Sequence, residues 1–201
     1  MIEARKSFND QFAYGRIAEG KIAQWLVQAQ GWIILPAYEI EIPSGKGPRL
    51  FTPLNQLIVP DILAMRYKGK RFLLKWHESK HKTRFTWHYK SKNWQTGIDV
   101  RHYLDYIQVQ KQTFEVYVLF LHSCSIPSKY DLEHGSPAAC PIGLFGRPLS
   151  YLMAHEHHRD SYNDGRRDNP MVYWNESDLE RLATLEEVQT LPISLWKGTP
   201  A

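Results

Sequence analysis

Cysteine is nearly missing from this chain, with only Cys124 and Cys140 among 201 residues. Two thiols are too few for a disulfide framework, which argues against a small stapled secreted fold. Long apolar runs are missing too. The longest that matters, "VYVLFL" (116–121), is far too short to cross a bilayer, so no membrane association is expected. The opening "MIEARKSFND" lacks the apolar stretch of a secretory leader, and a cytoplasmic, intracellular protein is expected. Recognised zinc spacing is lacking as well: His122, Cys124, His134, Cys140 and "HEHH" (155–158) form neither a CxxC pair nor an HExxH helix. No internal repeat is visible.

What is present suits one domain spanning 1–201. Hydrophobic residues make up 43% and charged residues 23%, ordinary values for a chain that can build a core. The net charge of +4 is unevenly spread. Between Arg66 and Arg101, eleven Lys and Arg face two acids, a local net of +9, and the rest of the chain carries −5. Trp76, Phe85, Trp87, Tyr89 and Trp94 lie in the same segment. Basic residues interleaved with aromatics suit a phosphate backbone and exposed bases, and equally suit a solvated basic face over core aromatics.

The apolar stripe Ala18, Ile22, Trp25, Leu26 and Ala29 predicts a helix over 12–31. Residues 32–42 read as extended and broken at Pro36, and 43–56 as a Pro/Gly-rich loop. Two strands are expected over 59–67 and 70–80, joined by a hairpin turn at Lys68-Gly69. A helix follows over 96–113, then a near-continuous apolar strand over 114–122, as in the interior of a covered sheet. Residues 123–170 lack periodicity and read as an irregular insertion. A strand at 171–174 and a helix over 176–189 complete the order. It implies an α/β fold, a mixed central β-sheet flanked by helices.

Charge breaks this pattern at three places. In "FLLKWHESK" (72–80), Phe72, Leu74 and Trp76 share one strand face, and Glu78 and Lys80 continue it. Asp61 shares a face with Val59, Leu63 and Met65 in the partner arm, so the hairpin brings two carboxylates together across its ladder. At about 4 Å two such charges repel by roughly 4 kcal/mol at an effective dielectric near 20. Lys80 offsets part of this, and a divalent cation would offset the rest. Glu19 sits on the stripe that the first helix should pack on the sheet. Singly, Asp61 also fits a strand-end acid paired with an Arg, Glu78 and Lys80 an exposed ion pair, and Glu19 a surface acid near Lys21 or Arg16. Carboxylate oxygens alone fit Mg²⁺ or Mn²⁺ better than zinc.

Pro60-Asp61, followed by Glu78-Ser79-Lys80, resembles the PD-(D/E)xK nuclease superfamily, and residues 12–122 resemble its αβββαβ restriction-endonuclease-like core, with a C-terminal extension over 171–190. The resemblance implies a metal-dependent deoxyribonuclease of the recombination, repair, resolvase or restriction type. Asp61 and Glu78 would bind Mg²⁺ or Mn²⁺, Glu19 would support that ion or a second one, and Lys80 would orient or activate the attacking water. Lys82, Arg84, Lys90 and Lys92 are candidate phosphate contacts, with Arg159, Arg166 and Arg167 next. Gln110 and Tyr106 are candidates to line the site from the second helix. Duplex or branched DNA is the expected partner, and cutting both strands would favour a homodimer. A nuclease-like binding module without catalysis and an RNA-directed enzyme are the alternatives.

Overall fold

The computed structural model describes residues 8–39, 48–53, 55–163 and 168–191. The chain enters as α1 (Phe8–Gln28), which buries Ala18, Ile22, Ala23, Trp25 and Leu26. It ends where Trp32 N–H turns back to the Leu26 carbonyl. β1 (Ile33–Pro36) follows. Residues 43–56 read as a loop from the sequence, yet β2 (Arg49–Phe51) and β3 (Gln56–Ile58) form a small antiparallel hairpin there, and 43–47 lie outside the described residues.

β4 (Ile62–Lys68) and β5 (Arg71–Lys82) form the predicted hairpin. Its register sets Lys68 opposite Arg71, so the turn is Gly69-Lys70, one residue later than expected. Gly69 adopts φ 61°, which the first position of a two-residue hairpin turn favours. Beyond β5 come β6 (Thr86–His88) and β7 (Asn93–Asp99), then α2 (Val100–Gln112) and β8 (Val116–His122). The helix expected over 96–113 is therefore shortened by a strand. Asp99 separates the two, its carboxylate accepting the Arg101 N–H at 2.7 Å as a helix cap. A Cβ on Gly97 would lie 2.4 Å from the Val172 carbonyl, so β7 can approach its neighbour only without a side chain at that position.

The supposedly irregular 123–170 segment holds α3 (Lys129–Glu133), β9 (Gly143–Pro148), α4 (Leu149–Ala154) and β10 (His158–Asn163). Six residues with two glycines and a terminal proline give β9 no alternating pattern to read. β11 (Asp168–Asn175) contains the expected strand at 171–174. The single helix expected over 176–189 is instead a 3-10 turn, β12 (Glu180–Ala183) and α5 (Leu185–Gln189). Thr184 and Glu187 make a reciprocal capping box that restarts the helix after the strand.

The main sheet has six strands in the order β1-β4-β5-β8-β9-β12. Only β5 and β8 pair in parallel; the other neighbours are antiparallel, so the sheet is mixed. A four-stranded antiparallel sheet, β10-β11-β7-β6, forms a second layer. Ile22 and Leu26 of α1 and Val188 of α5 pack with Ile62, Ala64, Leu119 and Leu121 on one face of the main sheet. On the other, Tyr103, Tyr106 and Val109 of α2 pack with Trp76, Val118, Phe120 and Trp174. Trp174 is fully buried and satisfies its indole N–H on the Leu152 carbonyl at 2.8 Å. The result is an α/β fold with a mixed central sheet flanked by helices. No helix among the described residues is long and apolar enough to cross a membrane.

Candidate active site

β5 alternates between the two cores. Trp76 packs on the α2 side, so Glu78, Lys80 and Lys82 follow it there, while His77 and Ser79 turn toward α1. In β4, Ile62 belongs to the α1 side, which leaves Asp61, just before it, on the α2 side. Ile62 pairs with His77, and the same register continued sets Asp61 opposite Glu78. Asp61 is tied into this position twice: its carbonyl accepts Tyr38 N–H at 3.0 Å, and its Oδ2 accepts Ser79 N–H at 2.8 Å.

Glu78 is completely buried, and Lys80 contacts its Oε1 as an ion pair. The reading of Glu78 as part of an exposed strand end is thereby corrected: β8 pairs alongside it and α2 covers it. Withdrawal from water, and after it the charges of Glu78 and Glu19, push the Asp61 carboxyl well above the usual carboxylate range, against the pull of Lys80 and the Ser79 N–H. Burial works against the Lys80 ammonium, yet Glu78, Asp61 and Glu19 together hold its pKa above the ordinary lysine value. Glu19 thus acts on both residues from α1. Lys21, one of the alternative partners for Glu19, directs its ammonium to the Gln189 and Leu191 carbonyls at 2.6 and 2.7 Å.

α2 closes the site from above. Tyr106 is buried beside Glu78. Burial first, then Glu78 and Asp61, raise its pKa well above that of free tyrosine. Gln110, the other candidate from this helix, accepts the Val116 N–H on its Oε1 at 3.0 Å and fastens α2 to β8. One residue escaped the sequence reading. His102, one turn before Tyr106, lies where the charges of Lys80 and Glu78 reach it, and burial followed by Lys80 lowers its pKa. Its signal was the i, i+4 spacing from Tyr106 on the buried side of a helix.

The basic candidates divide into two groups. Lys82 continues the face of Glu78 and Lys80, and its pKa falls to about 8 through burial and then the nearby Lys80 charge. Arg84 follows in the half-buried link to β6. Lys90 and Lys92 are exposed at the turn between β6 and β7, away from the carboxylates. Arg159 forms a two-pronged pair with Glu156 at 2.5 and 2.9 Å. Arg166 and Arg167 lie outside the described residues.

Among the described residues, no three His, Cys, Asp or Glu side chains gather closely enough to enclose a metal ion. The donor set is a pair, Asp61 and Glu78, with Glu19 further off. That pair still fits Mg²⁺, which keeps several of its waters and takes one or two protein carboxylates plus phosphate oxygens. A buried glutamate opposite an aspartate whose ionisation burial and acids resist is a place that favours added positive charge. The arrangement can hold a cation, place an ammonium beside it and exclude water with α2.

No protein-family model matches the chain, and no curated protein matches it. Among solved structures, the chain aligns with a nuclease from a fusselovirus at 10% identity over 92% of both chains, with a TM-score of 0.38. At that score the likeness bears no weight for the activity of this chain.

Proposed function

We propose that this chain is a Mg²⁺- or Mn²⁺-dependent nuclease of the PD-(D/E)xK type that hydrolyses phosphodiester bonds in DNA. The observation that carries the reading is the meeting of Asp61, Glu78 and Lys80 on one face of the β4-β5 hairpin, under Tyr106. Asp61 and Glu78 would hold the cation, with Glu19 supporting them electrostatically. When bound, it would supply Lewis-acid stabilisation of charge on the phosphoryl oxygens and a water of lowered pKa. Lys80, kept protonated by its acidic neighbours, pairs with Glu78 and would set a positive charge where the pentacoordinate phosphate becomes more negative. Tyr106, buried beside Glu78, closes the site to bulk water. Lys82 and Arg84 lie further along the same chain direction, placed to hold the backbone on one side of the scissile phosphate.

The test is direct. The protein is incubated with supercoiled, linear, single-stranded and branched DNA, and with RNA, with and without Mg²⁺. Cleavage of a DNA that needs Mg²⁺ and is lost in Asp61→Ala supports the reading; full activity in EDTA, or cleavage of RNA alone, overturns it.

A further inference from the structure

Away from the carboxylates, the surface carries a run of imidazole and phenol rings. Tyr130 stacks on His134 with ring centres 3.9 Å apart and planes 29° from parallel. His134 then meets Tyr89 at 5.8 Å, and Tyr89 meets His88 at 6.2 Å. His88 stacks on His158 at 5.0 Å, and His158 on Tyr173 at 4.8 Å and 12°. Six rings from α3, β6, β10, β11 and their connections thus form one continuous line. Core packing does not explain its open end, because Tyr89 is 49% and Tyr130 56% exposed.

The line is held in place before anything binds. The carboxylate of Asp131 accepts Trp87 N–H at 3.0 Å, and the indole N–H of Trp87 donates to the His134 carbonyl at 3.2 Å, so α3 is clamped to β6. His134 Nδ1 lies 2.7 Å from the Tyr130 carbonyl, and His88 Nδ1 lies 2.7 Å from Ser91 Oγ. Fixed rings lose little freedom on binding, which favours affinity. Beside them are two cations. Lys90 Nζ is 6.0 Å from the Tyr89 ring, and Lys92 occupies the same turn. Neither forms an ion pair with an acid among the described residues. Asp160 is the acid near His88 and His158, at the end of the line remote from Tyr130.

We infer that this ring line is a stacking platform for unpaired bases, so that the protein grips a single-stranded stretch of the nucleic acid whose cleavage it performs. A duplex hides its base faces and offers nothing for Tyr89 or Tyr130 to stack on, whereas a flap, gap or overhang offers them with phosphates for Lys90 and Lys92. The route between platform and carboxylates is short in the chain: β5 runs from Glu78 through Lys80 and Lys82 and leads through Arg84 into β6, which carries His88. The inference deepens the nuclease reading and rests on it for the word cleavage. The platform itself is testable without it.

Binding is measured on the full chain in EDTA, with a fluorescein-labelled oligothymidylate, a duplex of the same length, and an abasic oligonucleotide. Tyr89→Ala with Tyr130→Ala should weaken oligothymidylate binding about tenfold. The same change should leave duplex and abasic binding within about twofold, a shift below the scale of one lost stacking contact. Tyr89→Phe with Tyr130→Phe keeps the faces and should restore the affinity. Equal losses on all three probes, unchanged binding, or failure of the Phe pair to restore it would overturn the platform. A platform that passes in a protein that never cleaves would sink the nuclease reading instead; Mg²⁺-dependent cleavage with a failed platform would leave that reading standing alone.

Discussion

His77 and Glu78 are neighbours on β5, both buried, and the sheet sends them to opposite fates. His77 faces α1, between Trp32 and Tyr117, and withdrawal from water and then the Lys75 charge lower its pKa to about 3. It is neutral at physiological pH. Glu78 faces α2 and meets Lys80, Tyr106 and Asp61. One face of the strand resolves a buried polar group by removing charge, the other by assembling charges that answer one another. The sheet is a partition only one strand thick, and it keeps a neutral core and an electrostatic site within one residue of each other.

The strongest way to break this contrast is to disarm the charged face. Asp61→Ala, Glu78→Ala and Lys80→Ala should each cut cleavage by about a thousandfold or more, since each removes a group that stabilises charge in the transition state. Nucleic-acid affinity, measured in the same variants by fluorescence anisotropy, should hold or rise in the two acid variants because negative charge has left the phosphate path. Weaker binding there would count against the assignment.

Adding the cation sharpens the contrast from the other side. Mg²⁺ at about a hundred times its dissociation constant should stabilise the wild-type protein by about 2.7 kcal/mol, read as a rise in melting temperature. Glu78→Gln should abolish the rise, while His77→Phe, on the opposite face, should leave it intact. Loss of the Mg²⁺ effect in both variants would mean that the two faces are not separate.

Acid should select the neutral groups. The folded state keeps His122 neutral, with its pKa lowered to about 3 by burial and then by Lys82, while the unfolded chain takes up a proton near the ordinary histidine value of 6.5. The unfolded state therefore binds more protons between those values. Its contribution to stability is complete above pH 6.5 and is lost as pH falls toward 3, at up to about 1.4 kcal/mol per pH unit. Denaturant melts across this window should show a shallower acid limb in His122→Phe; an unchanged limb would show that His122 is not held neutral.

The smallest effect tests the edge of the charged face. Lys82 has a pKa of about 8, so it sheds its charge as pH rises through that value, and nucleic-acid affinity should weaken between pH 7 and 9. Lys82→Arg should flatten that dependence. Neutralising Lys82, Arg84, Lys90 or Lys92 should each make the log affinity against log salt slope shallower by roughly 0.9 on duplex or 0.7 on single strands. A slope that stays the same in all four variants would remove them from the binding surface.

The parts of the molecule legible in the sequence were those governed by a strong period. Alternation in 59–67 and 70–80 and the apolar run near 116–121 marked the strands that matter most, and charges misplaced on the two hairpin arms pointed to Asp61, Glu78 and Lys80. What escaped was set by partners distant in the chain. β9 takes its place between β8 and β12, although its own residues give no strand pattern. β7 hides inside an apparent helix because Gly97 answers to Val172, 75 positions away. Gln110 shares the helical spacing of Tyr106, yet a backbone N–H at the start of β8 claims its side chain. Periodicity assigns a face; it does not say which neighbour reaches that face first.

The parallel pairing of β5 with β8 also orders events in time. Asp61, Glu78 and Lys80 are brought together by closing a two-residue turn between adjacent strands, a contact of low sequence separation. Tyr106 and His102 arrive only after the chain has left at Lys82, built β6, β7 and α2, and returned at Val116 to lie beside β5. Closing that longer loop costs more chain entropy and is slower. The repelling carboxylates, with Lys80 as their companion, should therefore meet before the lid that buries them exists, screened by solvent during that interval. Pulse-labelling hydrogen exchange during refolding should show backbone protection in β4 and β5 before protection in α2 and β8.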